Sequence, residues 1–133
     1  MKMINIVCFG DSNTYGYKPD GTGRYDENTR WTGILQHKLG KEFRIIEEGL
    51  CGRTTVFHDE FRSGRCGIDA IGDIVEIYNP INILIIMLGT NDCKTRYGAS
   101  AKVIAKGLEQ VINRAIDKST NDFKLFVISP IHL

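Results

Sequence analysis

The stretch Phe9-Gly10-Asp11-Ser12-Asn13-Thr14 follows directly on an apolar run, Ile4 to Phe9. The run reads as a β-strand that stops at a glycine and sets a serine at the mouth of the next segment. In open α/β sheets the carboxyl ends of the strands are where sites lie, so Ser12 stands where a nucleophile is useful. Its hydroxyl can attack a carbonyl if a base takes its proton and amide donors hold the oxyanion. The same residues also make an ordinary Gly-Asp-Ser-Asn turn without chemistry, and short motifs often match by chance. The rest of the chain decides between the two.

Outward from this stretch, four segments read as parallel strands: Met3 to Phe9, Phe43 to Glu48, Ile81 to Leu88, and Phe123 to Ser129, the last stopped by Pro130. Ile81 to Leu88 is the most apolar and is expected at the centre, buried on both faces. Between the strands lie helical patterns. Trp31, Ile34, Leu35, Lys38 and Leu39 recur at three and four, with Gly40 closing the helix. Ile68, Ile71, Ile74, Val75 and Tyr78 repeat the pattern and stop before Pro80, and the stripe from Val103 to Ile116 is the longest. Such alternation predicts an α/β doubly wound parallel sheet with right-handed crossovers, in one domain over 1–133. Two long loops, Thr14 to Arg30 and Gly52 to Gly67, follow strands and are expected to border one edge.

Composition narrows the function classes. The 133 residues are 42% hydrophobic with a formal net charge of +1, and basic and acidic residues are intermixed. No basic stripe suits a nucleic acid, so no such partner is expected. The run Ile81 to Gly89 is broken by Asn82 and is too short to span a bilayer, and the N-terminus lacks a signal-peptide pattern. A cytoplasmic location away from membranes is expected. Cys8, Cys51, Cys66 and Cys93 include no C-x-x-C pair, so neither a disulfide framework nor a metal is expected, and Cys8 reads as a small core residue. Gly21-Thr22-Gly23-Arg24 is glycine-rich, but it is not G-x-G-x-x-G and has no P-loop lysine, which argues against a nucleotide or flavin. No cofactor is expected.

Three blocks follow the first three strands: Gly10-Asp11-Ser12-Asn13-Thr14, Gly49-Leu50-Cys51-Gly52-Arg53-Thr54-Thr55, and Gly89-Thr90-Asn91-Asp92. In a parallel sheet they meet on one edge, bringing together a hydroxyl, an unobstructed glycine N–H and an asparagine amide. A nucleophile between two donors is the minimum layout for a tetrahedral acyl intermediate. The blocks resemble those of the SGNH (GDSL-type) hydrolases. Arg30-Trp31-Thr32-Gly33, Glu47-Glu48-Gly49-Leu50 and Ile85-Ile86-Met87-Leu88 resemble the bacterial arylesterase and acyltransferase branch. The resemblance implies a flavodoxin-like three-layer α/β/α fold and a serine esterase acting on small esters or acyl groups. Ser12 would be the nucleophile, with an oxyanion hole from the N–H groups of Ser12 and Gly52 and the side-chain amide of Asn91. Asp11 would brace its loop and Asp92 would cap a helix or anchor a loop. Arg53 would make a loop salt bridge rather than touch substrate. Tyr15, Tyr17, Tyr25 and Trp31 are candidates to line an acyl or aryl pocket, with at least one of them in the core.

One departure matters. The family's fourth block supplies an aspartate and, three residues later, the histidine that acts as general base. This sequence, ending Ser129-Pro130-Ile131-His132-Leu133, contains no such block. The reading is a truncated domain without the fifth strand and last helix, weak or inactive as it stands. Of the three histidines, His37 sits on a solvated helix face, which leaves His58 and His132 as candidates for a substitute base. A strand Phe123 to Ser129 left at the sheet edge invites pairing with a second copy, so a homo-oligomer is expected. The alternative is a non-catalytic remnant that self-associates or holds a ligand in the pocket.

Overall fold

The computed structural model describes residues 2–130. Four strands among them form one parallel sheet: β1 (Ile4–Gly10), β2 (Phe43–Gly49), β3 (Ile83–Met87) and β4 (Lys124–Val127), in the order β2-β1-β3-β4. The crossovers carry α2 (Trp31–Leu39), α3 (Gly67–Tyr78) and α4 (Ala101–Lys118), and a four-residue helix α1 (Ser12–Tyr15) follows β1 at once. Strand order and helix placement are those of the expected α/β fold. Gly10 pairs with Gly49 on one side and Met87 on the other, so β1, β2 and β3 end level and their loops emerge together.

One face of the sheet holds the core. Val7, Phe9, Ile46, Leu84 and Ile86 pack there against Ile71, Ile74 and Val75 of α3 and Val111 and Ala115 of α4. Alternation along each strand puts Ile6, Cys8, Ile83 and Ile85 on the other face. There α2 is fastened to β2 by Gln36, whose Nε2 donates to the Phe43 carbonyl at 2.8 Å while its Oε1 accepts from the Ile45 N–H at 2.9 Å.

The expectation for the central strand needs correction. β1, not β3, is buried continuously, from Ile6 to Gly10, whereas Ile83 and Ile85 of β3 are half-buried. Apolarity alone cannot reveal this, because burial of the second face depends on which strand α2 covers, and its fastening is to β2 at the far side of β1. The helix α1 was also not visible in the pattern, since four residues are too few to show a period. Its start is set by Asp11, whose carboxylate accepts from the Asn13 N–H at 3.0 Å, and its end by Gly16 in the left-handed region.

Candidate active site

The three loops at the carboxyl ends of β1, β2 and β3 are joined by hydrogen bonds. The Leu50 N–H donates to the Gly10 carbonyl at 3.1 Å, tying the second loop to the first. Asn91 Nδ2 donates to the Arg53 carbonyl at 3.1 Å, tying the third to the second. Asp92, fully buried, receives the Thr55 N–H at 3.1 Å and the Thr55 hydroxyl at 2.5 Å. Of the two roles expected for Asp92, the anchor is the one found.

Ser12 opens α1 and is half-buried. As the first residue of a helix its N–H has no intrahelical acceptor, and among the described residues neither it nor the Gly52 N–H has a hydrogen-bond partner. The Asn91 amide spends one of its two hydrogens on Arg53 and keeps the other. The structure thus brings Ser12, Gly52 and Asn91 into one bonded loop cluster with three donors to spare. Asp11, beneath Ser12, caps α1 as a bracing residue, and burial pushes its carboxyl above the usual carboxylate range. Burial also pushes up the Asp92 carboxyl, against the opposing pull of its two bonds from Thr55.

Arg53 corrects an expectation. Instead of a salt bridge, its Nη1 donates to the carbonyls of Glu48 at 2.6 Å and Gly10 at 3.3 Å, and its guanidinium lies 4.2 Å from the centre of the Phe9 ring. Burial lowers its pKa to about 10. The cation cross-braces the ends of β1 and β2 from below, where its planar fork matches two carbonyls and its face matches an aromatic ring.

Gly52 lies at φ +83, which an L side chain rarely adopts. Beside it stands Arg62, whose Nη2 occupies the space a Cβ would need. Arg62 is held by Asp59 at 3.5 Å, and Arg96 reaches the same carboxylate oxygen at 2.9 Å. No signal in the sequence picks out Arg62, because its place over Gly52 depends on how the loop between β2 and α3 folds back.

The first long loop is fixed by Glu47. Its carboxylate accepts from Arg30 at 2.6 and 3.1 Å, from the Thr32 hydroxyl at 2.7 Å and from Arg24 at 3.3 Å, and the Arg30 bonds hold it below the usual carboxylate range. Arg24 also donates to the Tyr15 carbonyl at 2.7 Å and lies over its ring at 4.5 Å. Tyr15 and Tyr17 line a cleft of about 350 Å³ with Gly23, Leu50, Cys51 and Arg65. Tyr25 and Trp31 are not in its wall, a narrower lining than expected.

Of the histidines, His58 is exposed and its Nε2 stands 3.8 Å from Asp69 Oδ2 at the start of α3. His37 is exposed in the last turn of α2. His132 lies outside the described residues.

A parallel sheet with a serine after β1, a glycine after β2 and an asparagine after β3 is the SGNH hydrolase α/β arrangement. The GDSL-like lipase/acylhydrolase family model matches residues 8–132, and the chain belongs to that family. Among solved structures, one crystal structure is 40% identical with a TM-score of 0.93, covering 97% of this chain and 64% of its own. An inhibitor-bound aryl esterase of M. smegmatis is 34% identical, TM-score 0.87, covering 96% and 64%. A carbohydrate acetylesterase family member from Sinorhizobium meliloti is 31% identical, TM-score 0.90, covering 96% and 63%. The chain therefore spans just under two thirds of the length of these similar proteins. No curated protein sequence matches it. No helix among the described residues is long and apolar enough to cross a membrane.

Proposed function

We propose that this chain carries the nucleophile and oxyanion-binding part of a serine acyl hydrolase. Ser12 Oγ attacks the ester carbonyl and its proton passes to a base. The carbonyl oxygen takes the negative charge and is received by the N–H groups of Ser12 and Gly52 and by Asn91 Nδ2. Collapse expels the alcohol, which takes up the proton, and leaves an acyl-serine that water or another acceptor then relieves. The observation that carries this reading is the pair of unpartnered N–H groups, at Ser12 and Gly52, in a loop cluster that also holds Asn91. The cleft walled by Tyr15, Tyr17, Leu50 and Cys51 shares the second loop with Gly52 and has room for a small aryl or acetyl ester, although Ser12, Gly52 and Asn91 are not in its wall. Aryl esters and acetylated sugars are suggested by the similar solved proteins, an aryl esterase and a carbohydrate acetylesterase.

The base is the weak point of the site. With His58 turned to Asp69, the 133-residue chain is expected to be slow, and a missing triad member typically costs several powers of ten. The test is turnover of p-nitrophenyl acetate by the 133-residue chain beside Ser12→Ala. A Ser12-dependent rate supports the reading and implicates His58, His132 or a second chain as base. Equal rates, together with no labelling of Ser12 by a reactive phosphonate, count against an activated nucleophile.

A second reading is a non-catalytic remnant that self-associates through β4. It is favoured by one observation: all four residues of β4 are exposed and the strand is a sheet edge.

A further inference from the structure

Away from Ser12, three metal-ligating side chains gather where the loop after β2 meets α3. His58 comes from that loop, Cys66 is the N-cap of α3 and Asp69 lies in its first turn. One ligand atom from each lies within 4.8 Å of the other two. Cys66 and Asp69 are a turn apart, so they share one side of the helix start. The four cysteines gave no hint of this group, since it mixes three residue types that only the fold brings together.

We propose that His58, Cys66 and Asp69 form a three-ligand Zn²⁺ site that clamps the loop between β2 and α3 onto the first turn of α3.

The distances fit. A tetrahedral zinc with sulfur at about 2.3 Å and nitrogen or oxygen at about 2.0–2.1 Å sets its ligand atoms roughly 3.3–3.7 Å apart. His58 Nε2 and Asp69 Oδ2 already stand 3.8 Å apart, and both side chains are exposed and free to turn. Cys66 is the fixed point: it is buried, and it is bracketed by backbone bonds from the Thr54 N–H to the Arg65 carbonyl and from the Gly67 N–H to the Thr54 carbonyl. The charges balance as well. A thiolate and a carboxylate neutralise a divalent cation, with imidazole as the neutral third ligand and water in the fourth position. The helix N-terminus opposes a nearby cation but favours the thiolate. Zinc takes the thiolate, so binding at Cys66 releases the thiol proton to solvent. The clamped loop is the one that carries Gly52, Thr55 and Arg62, so the ion would steady the second loop of the serine site.

The test is a Co²⁺ titration of the 133-residue chain, followed by the sulfur-to-cobalt charge-transfer band and by competition with Zn²⁺. One ion per chain is expected. The band should vanish in Cys66→Ser, persist in Cys93→Ser, and need at least about tenfold more metal in His58→Ala. Should Cys66→Ser fail to fold by circular dichroism, Asp69→Asn takes its place, and loss of at least about tenfold in affinity is again expected. The absence of any band, a band that survives Cys66→Ser, or unchanged affinity in His58→Ala or Asp69→Asn overturns the proposal.

Discussion

The loop cluster around Ser12 and the strand β4 invert the usual rule of burial in opposite ways. In the cluster Asp11, Thr14, Arg53, Thr54, Thr55 and Asp92 are at most 5% exposed. In and just after β4, Leu125, Phe126, Val127 and Ile128 are 39–53% exposed. Buried polar groups cost free energy unless each finds a partner, and an apolar strand in water forgoes the stabilisation of burial. A protein keeps the first arrangement where geometry has to be held, as at an oxyanion site. The second leaves apolar surface that a further element or a second copy could cover. The difference teaches that, among the described residues, polar groups are enclosed at the β1–β2 loops while apolar ones stay uncovered along β4.

If the cluster is a rigid polar frame, breaking one buried partner should cost far more than any change at β4. The largest effect is expected from Asp92→Ala, which strands the Thr55 N–H and hydroxyl in the interior and should lower unfolding free energy by about 2–4 kcal/mol. Urea unfolding measures it, and a loss under half a kilocalorie would mean that water replaces the carboxylate and that the frame is soft.

Glu47→Gln should come next, at about 1–2 kcal/mol, because it weakens bonds to Arg30 that are partly open to solvent. This contribution also has a pH signature. The folded pKa of Glu47 is depressed, so its stabilisation is fully present above the unfolded glutamate pKa and is lost as pH falls through the lower folded value. The stability difference between wild type and Glu47→Gln should therefore be flat near neutrality and shrink on acidification. A difference that grows in acid would assign the effect to another group.

The smallest effect on stability, within about 0.5 kcal/mol, is expected from Val127→Lys on the open strand. Its effect on association should be larger. If β4 pairs with a second copy, sedimentation should show the parent chain as a dimer and the variant as a monomer. A monomeric parent would remove self-association through β4 and leave the open strand without a partner of its own kind.

Much of this was legible because it is local. Apolar runs mark the strands and recurrence at three and four marks the helices, with a glycine or proline stopping most of them, so the order β1 to β4 and the loops holding Ser12, Gly52 and Asn91 could be read directly. The bracing role of Asp11 was legible too, since an aspartate at the start of a helix bonds to a backbone N–H only two residues on. The extent of β4 was less so: the apolar run Phe123 to Ser129 exceeds the paired Lys124–Val127.

By itself the sequence determined the parallel α/β architecture, the three blocks and their meeting at one edge, because strand ends of a parallel sheet have nowhere else to go. Only the tertiary structure decided that Arg53 braces carbonyls rather than an acid, that Asp92 reaches Thr55 across 37 residues, that Arg62 stands over Gly52, and that His58 turns to Cys66 and Asp69. Each of these depends on how one loop folds over another, and side chains brought together across such distances leave no period in the chain to read.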